Sequence, residues 1–143
     1  MPAECVLDAS VVARWWLEDV RTETTAAASE FLRALEVGEF QIHVPDLVFP
    51  AVSNAFWKAT KFAGWSPDEA RNATRDLVAL GLTTHPTIGL AESAMELGIT
   101  YEISVYDATY IALGQHLEIP VYSADSKLLR KLDGRLALVR NLD

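Results

Sequence analysis

The stretch Cys5-Val6-Leu7-Asp8-Ala9-Ser10-Val11-Val12 changes its periodicity at the aspartate. Residues 5–7 are a brief continuous apolar run, short enough for a strand buried on both faces. Val11, Val12, Trp15 and Trp16 instead recur at helical spacing. A strand that runs straight into a helix is half of a β-α unit, and the same alternation continues outward from it. Gln41-Ile42-His43-Val44, closed by Pro45, reads as a second strand, Pro120-Val121-Tyr122 as a third and Ala137-Leu138-Val139 as a fourth.

Helices are expected between them. Thr22 to Val37 places Ala26, Phe31, Leu32 and Leu35 on one side, with Gly38 as a stop. Val48, Val52, Ala55, Phe56, Ala59, Phe62 and Ala63 keep helical spacing from about residue 47 to Gly64. Ser66-Pro67-Asp68-Glu69 combines an N-cap, a proline at the first helical position and first-turn acids, so a helix should run from there to about Leu80. Further helices are predicted over 88–97 before Gly98, over 107–117, and from Asp125 through Leu132. This pattern predicts an α/β fold with a mostly parallel central sheet flanked by helices on both faces. With no repeat and no linker-like segment, 143 residues make a single domain, 1–143.

Composition narrows the function classes. Half of the chain is hydrophobic, which supplies a core, yet no apolar run approaches the roughly 20 residues that span a bilayer. The single cysteine, Cys5, excludes an intramolecular disulfide and a cysteine-based zinc site, and a cytoplasmic location is expected. Twelve basic against 20 acidic residues give a net charge of −8, which argues against general attraction to nucleic acid. The charges are blocked. No Lys or Arg lies between Asp76 and Lys127, after which Lys127, Arg130, Lys131, Arg135 and Arg140 follow. That basic segment suits either a phosphate-contacting rim or an ordinary solvated helix face.

Ligands of parallel α/β sheets gather at the carboxyl edge of the strands. Asp8 ends the first strand, Asp125 follows the Val121-Tyr122-Ser123 run, and Asp107 opens a helix pointing to the same edge. Three converging carboxylates must hold protons or bind a cation. All-oxygen ligands favour Mg²⁺ or Mn²⁺, and phosphodiester hydrolysis is the chemistry such ions serve. Taken singly, Asp107 and Asp125 also suit plain helix N-caps. His43, His85 and His116 show no paired spacing, so no histidine metal site is expected. Ser10 has no evident histidine base that would make it a nucleophile. The four tryptophans, Trp15, Trp16, Trp57 and Trp65, suit core, interface or base-stacking roles.

Three motifs in order carry a family resemblance. Val6-Leu7-Asp8-Ala9-Ser10-Val11 resembles the opening of PIN-domain nucleases, especially VapC-like toxins. Ser104-Val105-Tyr106-Asp107-Ala108-Thr109-Tyr110-Ile111-Ala112-Leu113 and Ser123-Ala124-Asp125-Ser126-Lys127-Leu128-Leu129 are similar to that family's second and third signatures. The resemblance implies one or two Mg²⁺ or Mn²⁺ ions and endonucleolytic cleavage of RNA. It also implies a homodimer and a small antitoxin whose tail blocks the acidic pocket. By position, Asp8, Asp107 and Asp125 would be metal ligands, Ser10 a hydroxyl near the metal or phosphate, and Ser123 a supporting group.

One position departs from the family pattern. A glutamate is usual in a Glu-Val-x-Asn-Ala segment, and here Ala51-Val52-Ser53-Asn54-Ala55 puts alanine at that place while Val52, Asn54 and Ala55 fit. Weaker metal affinity and slower turnover are expected, and a binding-only domain that grips RNA or a protein is the alternative. Asp46 is a candidate replacement for the missing acid, but it lies some 140° away around the helix, and an N-cap after Pro45 suits it better. Pro50 would also break a helix that began at Asp46. A phosphoaspartyl phosphatase is disfavoured because Ser10 occupies the second position of its Asp-x-Asp, and a receiver domain because neither paired acids near the start nor a strand-end lysine is evident.

Overall fold

In the computed structural model, residues 3–17 and 22–142 are described, with side chains from residue 27 onward in the second stretch. Ala26, expected on the inner side of its helix, lies outside the residues whose side chains are described. Strands β1 (Ala3–Leu7), β2 (Phe40–Pro45), β3 (Thr83–His85), β4 (Val121–Ser123) and β5 (Val139–Asn141) form one sheet in the order β3-β2-β1-β4-β5. Every pairing is parallel. Cys5, Val6 and Leu7 are fully buried, as are Ile42 and Val44 almost completely, so successive residues are covered whichever way they point. Helices therefore lie on both faces, as the uninterrupted apolar runs required.

The helices are α1 (Ala9–Val12), α2 (Thr22–Glu36), α3 (Val48–Phe62), α4 (Pro67–Ala79), α5 (Ala91–Tyr101), α6 (Val105–Leu117) and α7 (Ser126–Leu132). Short 3₁₀ turns follow α1 at Ala13–Trp15 and precede α5 at Thr87–Leu90. Ser66 caps α4 in a complete capping box with Glu69, which is the start the Ser-Pro-Asp-Glu motif predicts. Helix α3 begins at Val48, not Asp46, which places Pro50 in the first turn where its missing N–H has no helical partner to lose.

Four expectations need correction. Strand β3 was not predicted: Thr83-Thr84-His85 is polar because an edge strand needs no apolar run. The last strand lies at Val139–Asn141, two residues beyond the expected run. Helix α5 passes through Gly98 and ends at Glu102 in a left-handed cap (φ 55°). A glycine at 98 suits the chain folding back over it: a Cβ there would stand a tight 3.1 Å from the Ile103 carbonyl oxygen. Helix α6 opens at Ser104, whose side chain accepts from the Asp107 N–H at 3.1 Å, so Asp107 is not its cap.

The core runs from β1 and β2 through Val48, Val52 and Phe56 of α3 to Ile111 and Leu113 of α6. Trp16 meets Phe56 edge-on, Phe56 stacks on Trp65, and the Trp15 indole N–H donates to the Ala28 carbonyl at 2.7 Å. Those three tryptophans are thus framework, and only Trp57 is exposed. Burial pushes the Cys5 thiol up to about 12, consistent with an inert core residue. Gly114 lets α6 lie directly on β4, since a Cβ there would fall 2.2 Å from Val121 Cγ2.

Candidate active site

Strand order locates the site. From β1 the chain builds one way to β2 and β3, then returns to add β4 and β5 on the other side, so β1 and β4 flank the topological switch point. A crevice opens there beyond the carboxyl ends of the two strands. The register pairs Val6 with Val121 and Leu7 with Tyr122, and the Asp8 N–H donates to the Tyr122 carbonyl at 3.2 Å. Asp8 and Ser123 therefore leave the sheet side by side.

Asp8 is 6% exposed. One of its oxygens, Oδ1, accepts from the Ser10 N–H at 3.0 Å, the Val11 N–H at 3.3 Å and the Ser10 hydroxyl. Ser10 Oγ in turn accepts from the Ala124 N–H at 3.1 Å and so ties the end of β1 to the loop after β4. Burial pushes the Asp8 carboxyl up to about 6, against the lowering effect of the Ser10 and Ser123 hydroxyls and the Val11 N–H, with the Asp107 charge adding to the rise. Ser123 is fully buried, and its hydroxyl oxygen accepts from the Asp125 N–H at 3.0 Å.

Asp125 does cap its helix, accepting from the Lys127 and Leu128 N–H groups at 3.0 and 3.1 Å. Asp107 is half-buried, and because Ser104 does the capping of α6 its carboxylate is left for other work. Burial and then the Asp125 charge raise its pKa, while Ser104 and Lys131 pull it back. Asp107 thus acts electrostatically on Asp8 and itself feels Asp125. Ser104, Asp107, Asp125, Lys127, Leu128 and Lys131 line a small cleft of about 170 Å³. Of the basic segment, Lys127 and Lys131 reach this cleft; Arg135 instead lies over the Tyr101 ring at 4.9 Å, and Arg140 donates to the Tyr122 hydroxyl at 3.4 Å.

The donor set is that of a hard cation. Among the described residues no three His, Cys, Asp or Glu side chains stand so that they could close on one ion by themselves. Mg²⁺ does not require that, since it is commonly held by one or two carboxylates and keeps several waters. Asp107 and Asp125 line one cleft, and a buried hydroxyl without a partner, Tyr110 Oη, feels the charges of Asp8 and Asp107.

Around this centre the remaining predicted residues divide. Ala51 is half-buried in the opening turns of α3, which follows β2 at the same carboxyl edge and packs against α1. Asn54, one turn on, is exposed. Asp46 does not cap α3, whose N-cap is Leu47; its carboxylate accepts from the Thr87 N–H at 3.2 Å. Two groupings had no signal in the sequence. The sheet register sets His43 Nδ1 2.8 Å from His85 Nε2 and His43 Nε2 2.9 Å from Glu4 Oε1, residues separated by about forty positions. Tyr110 had one usable sign, its i+3 spacing from Asp107 on α6.

Comparison with known proteins places the fold. Ribonuclease VapC3 of Pyrobaculum aerophilum is 27% identical over 128 residues, covering 88% of this chain and 92% of that one. Ribonuclease VapC9 of Mycobacterium tuberculosis is 28% identical over 123 residues, covering 86% and 87%. Among solved structures, a toxin-antitoxin complex from Klebsiella pneumoniae superposes with a TM-score of 0.66 at 14% identity, covering 97% of this chain and 98% of that one, which speaks to fold alone. The PIN domain family matches residues 5–134, a span that contains all three aspartates, the end of β1 and the whole of β2, β3 and β4. The chain belongs to the PIN-domain family.

Proposed function

We propose that this protein is a divalent-metal-dependent endoribonuclease whose acidic pocket hydrolyses RNA phosphodiesters. The observation that carries this reading is Asp107, a first-turn acid released from capping that lines one cleft with Asp125 and acts electrostatically on Asp8. Asp8, Asp107 and Asp125 would hold Mg²⁺ or Mn²⁺. Such an ion polarises a phosphoryl oxygen and lowers the pKa of a bound water. Ser10, bonded both to Asp8 and to the Ala124 N–H, orients the Asp8 carboxylate, and buried Ser123 steadies Asp125 through its backbone. Lys127 and Lys131 offer a cationic rim for RNA phosphates beside the pocket, which a chain of net charge −8 needs locally. The curated relatives named as ribonucleases support the reading.

A small antitoxin and a second copy of the chain are the proposed partners, and the cytoplasm the proposed compartment. The likeness to the toxin-antitoxin complex from Klebsiella pneumoniae supports the first, as does the groove between α3 and α4 where exposed Trp57 lies with Ser53, Ala70, Arg71 and Thr74. Exposed Ile88, Met95 and Ile99 supply apolar surface for the second.

Ala51 favours a second reading, a PIN domain that binds RNA or protein with little turnover. Cleavage of a mixed RNA pool by the purified protein, with Mg²⁺, Mn²⁺ or EDTA and beside Ala51→Glu, separates the two. Metal-dependent cutting by the unaltered chain, accelerated in Ala51→Glu, is the expected outcome. Cutting by Ala51→Glu alone would establish the binding-only reading for this chain, and no cutting by either would overturn the nuclease reading.

A further inference from the structure

Tyr110 carries a feature that core packing does not explain. It is 4% exposed, and its hydroxyl is the one fully buried side-chain polar atom among the described residues without a hydrogen-bond partner. A buried donor left unpaired destabilises a fold, and phenylalanine would fill the same space without that cost. The same helix satisfies its other buried hydroxyl locally: Thr109 Oγ1 donates to the Val105 carbonyl at 2.7 Å. What distinguishes Tyr110 is its surroundings. It stands one turn from Asp107 on the same side of α6, and α6 packs against β1, whose end carries Asp8. Burial first, and then the charges of Asp8 and Asp107, push the phenol pKa up, so the hydroxyl stays protonated and can donate.

We infer that Tyr110 is a positioning residue of the acidic pocket, its hydroxyl donating to the Asp8–Asp107 carboxylate pair as that pair closes on a divalent cation. The inference rests on the pocket being a cation site. A hydroxyl that donates to a carboxylate pair favours their ionised form and fixes their orientation, both of which a cation requires. The cost of the unpaired hydroxyl is then borne by the metal-free protein and recovered on loading, a stability sacrifice of the kind functional sites make.

The test uses Tyr110→Phe in the full chain, with Asp8→Asn as reference, and reads two quantities: Mn²⁺ affinity by calorimetry and thermal stability in EDTA. Tyr110→Phe is expected to bind Mn²⁺ about tenfold more weakly, on the scale of other groups that orient metal ligands. Its metal-free Tm is expected to equal or exceed that of the unaltered protein, because no bond is lost there. Unchanged Mn²⁺ affinity in Tyr110→Phe, alongside lost binding in Asp8→Asn, would overturn the role of Tyr110 and leave the pocket standing. A lower metal-free Tm together with weaker binding would make the hydroxyl merely structural and overturn it too. Failure of the unaltered protein to bind Mn²⁺ would overturn both the inference and the cation site beneath it.

Discussion

Two aspartates follow neighbouring strands at the same edge of the sheet and meet different fates. Asp8, after β1, is 6% exposed, bonded to the Ser10 and Val11 N–H groups, and pushed up to about 6 by burial. Asp46, after β2, is exposed; its N–H donates to the His85 carbonyl at 2.8 Å and its carboxylate accepts from the Thr87 N–H. The residue types are the same, and the strand order differs around them. Between β1 and β4 the chain departs in opposite directions, so a crevice opens; between β2 and β3 it continues the same way, and Asp46 is spent on stitching β2 to the turn after β3. Topology, more than residue identity, decides which strand-end acid is available for chemistry.

A large effect on cleavage should come from Asp107, whose charge acts on Asp8 and which itself feels Asp125. Asp107→Asn is expected to lower metal-dependent RNA cleavage by about a hundredfold or more, on the scale of changes at groups that hold or orient a metal. Rates within twofold of the unaltered protein would remove Asp107 from the site.

A stability measurement sharpens the contrast between the two aspartates. Because the folded-state pKa of Asp8 is raised above its ordinary value of 3.8 to about 6, its contribution to stability is greatest below pH 3.8 and is lost as pH rises through 6. At neutral pH the ionised, buried carboxylate then costs about 3 kcal/mol. Asparagine keeps the N-cap and carries no charge. Metal-free Asp8→Asn should therefore be more stable than the unaltered protein at neutral pH, with the gain fading on acidification. Denaturant titrations in EDTA across this pH range check it, and an equal or lower stability at neutral pH would refute the assigned burial cost. Asp46→Ala should behave oppositely, losing up to about 1 kcal/mol through its bond to Thr87 and leaving cleavage unchanged. A smaller effect is expected away from both acids. Glu118 caps α6 with φ at 57°, and Glu118→Gly should raise stability by a few tenths of a kcal/mol in thermal denaturation.

Much of the fold was legible because its buried strands are apolar on both faces and its long helices keep their spacing; β1, β2, α3 and α4 all lie where periodicity puts them. Strand β3 escaped because an edge strand of Thr-Thr-His carries no hydrophobic signal. The end of α5 escaped because Gly98 serves close packing rather than termination, with Glu102 taking the left-handed cap. At the site, position along the strands was enough to bring Asp8 and Asp125 to the same edge of the sheet. The freedom of Asp107 was not readable, since it depends on Ser104 taking the capping role three residues earlier. Tyr110 was hidden more deeply: within Ala108-Thr109-Tyr110-Ile111-Ala112 an aromatic residue reads as core, and only the unsatisfied hydroxyl beside two acids separates it from its neighbours.

The most direct measurement sets Asp8→Asn against Asp46→Asn in the same RNA cleavage assay with Mn²⁺. The account predicts that Asp46→Asn cuts at the rate of the unaltered protein and that Asp8→Asn does not cut. Equal cleavage by Asp8→Asn and the unaltered protein would contradict the placement of the reaction at the β1–β4 crevice.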